Sequence, residues 1–195
     1  VNVLAAAPTV ANLWATSTDG TQVSSFVVAN GTRFAGPTNI FAPTFVNATN
    51  TYTRTAALGR NASPSLVNGH FYWLGSSSGG SENNGLVEVW ASTATGTSQT
   101  RIGSLDLNGA GNGAELGFVR LGVGPDGTGW ILAGDGTTLY LANFPTNGVN
   151  AVTVTLVDAS VGLSGGSAAT FENGDLCISG NNNIYALAND GSGTT

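Results

Sequence analysis

"GPDGTGWILAGDGTTLYLAN", Gly124 to Asn143, carries Asp-Gly pairs at 126–127 and 135–136, each followed by a short apolar run. Such a stretch is either a loop that grips a phosphate or metal, or two corners of a folded sheet. Distance separates the readings. The two Asp lie nine residues apart, and on an extended strand, at about 3.3 Å per residue, their carboxylates stand about 30 Å apart, too far to share one cation. Asp-Gly accepts the positive φ that tight hairpin turns require. The pairs are corners, and the runs "GWILAG" and "TTLYLAN" are strands.

The same pattern recurs on both sides. "LVNGHFYWLGS" (66–76), "VGPDGTGWILAG" (123–134) and "FENGDLCISG" (171–180) each hold a turn pair, a few apolar residues and a closing Gly. A second apolar run follows each one: "GLVEVWAS" (85–92), "TTLYLAN" (137–143) and "NNIYALAN" (182–189), with Tyr140 and Tyr185 in the same slot. A third run appears in "TSQTRIGSLDL" (97–107) and "NAVTVTLVD" (150–158), and a weaker copy of the whole opens the chain in "ANLWATSTDGTQVSSFVVAN" (11–30) and "NTYTRTAAL" (50–58). The turn pairs begin at Asp19, Asn68, Asp126 and Asn173, so successive pairs are 49, 58 and 47 residues apart. Alternation of the "VTVTLV" kind is the period of a half-buried strand, and no sustained helical period competes with it. The sequence therefore predicts an all-β protein.

A period of about 40–50 residues with four short strands per unit is the pattern of a β-propeller blade. Through the segments just quoted the chain resembles kelch- and NHL-type propeller repeats over nearly its whole length. It has neither the paired glycines of kelch nor the Trp-Asp ending of WD40. The resemblance implies a small propeller of about four blades, with a β-sandwich as the alternative. The expected organisation is a single domain over 1–195, with units near 10–58, 64–107, 117–158 and 167–190. The fourth unit has two hairpin strands and no outer strand. Residues 1–9, with Pro8 tolerable at an edge, are expected to cover that bare edge, either in their own chain or in a neighbour.

Composition bounds the function. Of the 195 residues 41% are hydrophobic and 8% charged, with no Lys and five Arg, against roughly 25% charged in ordinary soluble domains. The surface must be built from Thr, Ser, Asn and Gly, as in secreted and cell-surface proteins. A net charge of −6 and the scatter of Arg33, Arg54, Arg60, Arg101 and Arg120 exclude phosphate-backbone binding, which needs clustered cations. No apolar run reaches the roughly 18 residues that would insert in a membrane. A start at Val1 reads as a processed chain or a fragment. The single cysteine, Cys177, cannot form an internal disulfide, and its apolar run "DLCISG" predicts a buried small hydrophobe.

Catalytic motifs fail on context. "GVGPDG" (122–127) spells a dinucleotide fingerprint but is followed by a strand where a helix must receive the pyrophosphate. "GSSSG" (75–79) and "GLSGG" (162–166) spell a nucleophile elbow, yet the one His, His70, precedes both, and the elbow needs a His after the Ser. A lone His is also a poor metal ligand set. Glu82, Glu88, Asp106, Glu115, Asp158 and Glu172 form no motif; paired acids converging on a central channel would be required for glycoside hydrolysis. Trp14, Trp73, Trp90 and Trp130 occupy strand slots, where they either fill the core or line a weak carbohydrate-binding surface. Sequons at Asn30, Asn47 and Asn61 are candidate glycosylation sites. No cofactor is expected. The function these features predict is a secreted, non-enzymatic structural or adhesive subunit of an extracellular assembly that self-associates, with a filament built by strand addition as one form of it; the alternatives are a carbohydrate-binding module and a hydrolase with channel-facing carboxylates.

Overall fold

A computed structural model describes residues 11–16, 23–28, 38–41, 65–67, 69–76, 85–93, 98–107, 109, 116, 118–135, 137–162 and 175–187. Within them every regular element is a strand, so the all-β expectation holds there. No helix among them is long and apolar enough to cross a membrane.

The thirteen strands among the described residues form four antiparallel groups. Sheet I joins β1 (Ala11–Thr16), β2 (Val23–Val28) and β3 (Thr38–Phe41) in that order. Sheet II is the meander β4 (Ser65–Val67), β5 (His70–Ser76), β6 (Leu86–Thr93) and β7 (Thr100–Asp106). Sheet III repeats the meander with β8 (Phe118–Val123), β9 (Thr128–Gly134), β10 (Leu139–Pro145) and β11 (Thr155–Asp158). Hairpin IV pairs β12 (Asp175–Ile178) with β13 (Ile184–Leu187).

The turn pairs make the corners for a local reason. Gly69 closes β4 onto β5 with φ +78°, and Gly127 closes β8 onto β9 with φ +82°, a region where L side chains are strained and glycine is not. In the second corner Gly124 accepts the Gly127 amide at 3.0 Å and donates its own amide to Thr128 at 2.8 Å. Pro125 suits the position after Gly124 because its ring fixes φ near −65°. Hairpin IV has the same bonds: the Ser179 amide donates to Asn183 and the Asn182 amide to Ser179, both at 2.9 Å. There Asn182, at φ +61°, takes the glycine's place, as Asn tolerates the left-handed region best among side chains.

Packing converts these meanders into layers. Sheets II and III share one apolar cluster, which includes Tyr72, Leu74, Val87 and Val89 on one side and Val119, Ile131, Ala142 and Phe144 on the other. Each buried Val, Leu, Ile or Phe side chain among them contributes about 1.5–3 kcal/mol. The Phe144 ring lies across Gly129 so closely that a Cβ there would be 2.3 Å from its Cζ, and it meets the Tyr72 ring at 6.2 Å. The Tyr72 hydroxyl accepts the Gly148 amide at 2.8 Å. Residues before β11 complete the contact: the Val152 amide donates to Ile102 at 2.8 Å, over Gly103, where a Cβ would come within 2.9 Å of Val154. The other face of sheet III carries Phe118, Trp130, Leu132 and Leu139, and hairpin IV covers it with Leu176, Ile178, Ile184 and Ala186. Gly122 permits that approach, since a Cβ there would lie 2.9 Å from Ile178.

Candidate functional site

The opening stretch fulfils its corner reading. Asp126 Oδ1 accepts the Thr128 amide at 2.9 Å. Asp135 Oδ1 accepts the Thr137 and Thr138 amides and the Thr137 hydroxyl, and Oδ2 accepts the Tyr140 hydroxyl at 2.8 Å. Partial burial alone would push the Asp135 carboxyl up. The Thr138 and Thr137 amides, with the two hydroxyls, outweigh it and hold the group down at about 2, because each bond favours the ionised form. Asp135 is thus consumed in fixing the β9–β10 turn.

The most unusual chemical group is Glu88, which is fully buried on β6. Its Oε1 meets Arg101 at 2.6 Å and its Oε2 accepts the Trp90 indole N–H at 3.0 Å. A register shift between Val89 and Trp90 places Arg101 of β7 opposite Trp90, so the guanidinium can reach back while its side chain remains 44% exposed. Trp73, the register partner of Trp90 on β5, stacks on it with centroids 6.4 Å apart and planes 15° from parallel. Removing the Arg101 guanidinium would leave the buried Glu88 carboxylate with much of its desolvation cost unmet, whereas Arg101 without Glu88 still reaches water. Sequence reasoning placed Glu88 and Arg101 apart, since only the bulge aligns them. Burial raises the Tyr72 phenol above its ordinary range, while the Gly148 amide draws it down.

The remaining candidates are dispersed. Trp73 and Trp90 are buried and offer no ring face to a sugar. Trp130 is half-buried against hairpin IV, and its indole nitrogen is enclosed without a hydrogen-bond partner. Trp14 lies in β1, where only the strand is described. His70 begins β5, half-buried, with its ring beside Gly148. Asp158 ends the exposed β11 and accepts the Ser160 amide at 2.8 Å, and Asp106 ends β7 half-buried. Arg120 is buried in β8, with its guanidinium 5.0 Å from the Phe118 ring centre and donating to the Val119 carbonyl at 3.1 Å, an arrangement in which the ring's electron-rich face offsets desolvation. Glu82, Glu115 and Glu172, and the sequons Asn30, Asn47 and Asn61, lie outside the described residues. Among the described residues no group of three or more His, Cys, Asp or Glu side chains could hold a metal ion.

One expectation is overturned. Cys177 is exposed. On β12 its neighbours Leu176 and Ile178 turn inward to sheet III, so alternation turns Cys177 outward. Its register partner is Tyr185, 52% exposed. Among the described residues, the side of hairpin IV turned away from sheet III therefore carries an exposed Cys177–Tyr185 pair.

In comparisons with known proteins, no family model, no curated protein and no solved structure matches this chain.

Proposed function

We propose that this chain is a secreted, non-enzymatic structural or adhesive subunit of an extracellular assembly, built as a small propeller of about four kelch- or NHL-like blades. The carrying observation is the exposed Cys177–Tyr185 pair of hairpin IV, which meets no further sheet among the described residues, whereas sheets II and III and hairpin IV pack apolar face to apolar face. Two meandering sheets of like strand order, each with a turn pair between its first and second strands, support the blade reading. The few charged groups support a structural role: Asp126, Asp135 and Asp158 are engaged in turns, and Glu88 braces β6 against β7.

In this reading an edge of hairpin IV, unpaired among the described residues, accepts residues 1–9 of its own chain or of a neighbour as the missing outer strand, and glycans on Asn30, Asn47 and Asn61 decorate the surface. A chain with 8% charged residues opposes close packing of copies with little like-charge repulsion. Light scattering across a concentration series, with negative-stain images of native material, tests the proposal. Association that rises with concentration is expected, and a strictly monomeric particle at the highest concentration removes it.

A further inference from the structure

The last strands of sheets I, II and III begin alike, with Thr38-Asn39-Ile40 in β3, Thr100-Arg101-Ile102 in β7 and Thr155-Leu156-Val157 in β11. Each breaks register with the strand before it at the same point. Ser24 pairs with Asn39 but Val23 with Phe41, Trp90 with Arg101 but Val89 with Gly103, and Ala142 with Leu156 but Leu141 with Asp158. Ile40, Ile102 and Val157 are thus the extra residues of three like-placed bulges, and such a residue has no partner in the ladder.

In β7 the extra residue has a use. The Ile102 carbonyl accepts the Val152 amide at 2.8 Å, its side chain is buried in the cluster shared with sheet III, and Val152 and Val154 crowd Gly103 beside it. The chain leading into β11 therefore lies across the bulge. Without the bulge, and with Val89 still opposite Gly103, Trp90 would pair with Ile102 and Ala91 with Arg101. A shift of one residue turns each side chain to the other face. Ile102 would leave the sheet III side, and the guanidinium would move from the face of Glu88 to that of Val89 and Ala91. The bulged register alone brings Arg101 to 2.6 Å from Glu88, where the Trp90 indole completes the clasp at 3.0 Å.

We propose that the Glu88–Arg101 pair is a register lock: it holds the β7 bulge in place, and through the bulge it positions the latch by which the β10–β11 connection fastens sheet III to sheet II. A buried carboxylate parted from its cation is costly, and that cost falls on the unbulged register alone. Such a pair supplies choice of register more than it supplies stability. In sheet III the places of Glu88 and Arg101 are taken by Tyr140 and Leu156, an uncharged pair, and the extra residue Val157 is 49% exposed. Among the described residues the charged lock and the crossing chain occur together, in sheet II. The lock works within one chain, whether or not copies associate.

Glu88→Leu with Arg101→Leu, made together in the full chain, removes the pair without stranding either charge. The fold should persist, because apolar replacement of a buried ion pair is often neutral or stabilising. Amide exchange followed by NMR should show Val152 about tenfold faster than in the parent, through local opening of the latch, with the β5–β6 and β9–β10 ladders unchanged. A pair that served stability alone would move these amides together. Arg101→Lys keeps the cation and should hold Val152 exchange within about twofold of the parent. Glu88→Gln keeps the size of Glu88 and an acceptor for the Trp90 indole while removing the charge, and should quicken Val152 about threefold. Unchanged Val152 exchange in the double variant overturns the proposal, and if that chain does not fold, unchanged exchange in Glu88→Gln overturns it instead. A rise shared equally by Val152 and both ladders, or an Arg101→Lys chain as fast as the double variant, overturns it as well.

Discussion

Sheet III joins β8 to β9, and hairpin IV joins β12 to β13, by corners with the same two backbone bonds, and β9 and β12 each follow an Asp-Gly or Asn-Gly pair, so that Ile131 matches Ile178 and Trp130 matches Cys177 in sequence. They end in different situations. Among the described residues, sheet III has four strands and apolar neighbours on both faces, while hairpin IV has two strands and one covered face. Local sequence is enough to make a hairpin; only the layer that arrives next decides whether its second face becomes core. The first change that should expose this asymmetry is Phe144→Ala. Phe144 fills the gap over Gly129 and touches Tyr72, so its loss opens a cavity between sheets II and III costing about 3–5 kcal/mol. At about 2–4 °C per kcal/mol for a chain of this size, calorimetry should record a fall of the whole transition, with faster amide exchange in β5, β6, β9 and β10 together. A drop confined to β10 would mean the two sheets are not one cooperative unit.

Gly122→Val separates the layers from the other side. Its side chain would enter the space of Ile178 and Leu176, and overpacking of this kind costs about 1–3 kcal/mol. Because hairpin IV is held on one face alone, it should yield before sheet III does. Amide exchange mass spectrometry should show β12 and β13 losing protection with β5 and β6 unchanged; uniform loss throughout would contradict the asymmetry.

Acid acts on the β9–β10 corner of sheet III, whose counterpart between β12 and β13 holds no carboxylate. The Asp135 carboxyl is held at about 2, below the ordinary aspartate value of 3.8. A depressed acid contributes stability that is complete above its unfolded value and lost as pH falls through the folded one. The loss should run from about pH 5 to about pH 2. Asp135 is partly open to water, which screens the interaction, so the amount is about 1 kcal/mol. Urea unfolding of the native chain and of Asp135→Asn should differ above pH 5 and converge near pH 2, where a constant gap would assign the stability to another group.

How much of this was legible in the sequence depended on the span of chain involved. The corners at Asp126 and Asp135 could be read, because a tight turn is decided by four or five adjacent residues. The strand slots of Trp73 and Trp90 could be read as core for the same reason. Cys177 could not: alternation in a four-residue strand marks two faces without saying which one is covered. Tyr140 and Tyr185 share a slot in sequence yet end on opposite sides, Tyr140 buried toward sheet II and Tyr185 away from sheet III. Four residues separate the paired Gly134 and Leu139, while five separate Ile178 and Ile184, and a shift of one residue reverses every side chain of a strand. The Glu88–Arg101 pair was hidden for a similar reason, since the register shift in β6–β7 offsets the facing residues.

The finest difference between the two regions is the residue in the left-handed position, Gly127 in one corner and Asn182 in the other. The Cβ position of Gly127 lies 3.2 Å from Thr146 Oγ1, whose hydroxyl donates to the Gly127 carbonyl at 2.7 Å. Gly127→Asn therefore meets both backbone strain and a crowded neighbour, and should cost about 1 kcal/mol. Asn182 is exposed, so Asn182→Gly relieves a small strain and gives back a similar entropy in the unfolded chain. Its effect should stay within about 0.5 kcal/mol, read as a Tm within measurement error of the parent. If the two exchanges cost the same, the corners are interchangeable and the extra restraint in sheet III lies in its covering layers alone.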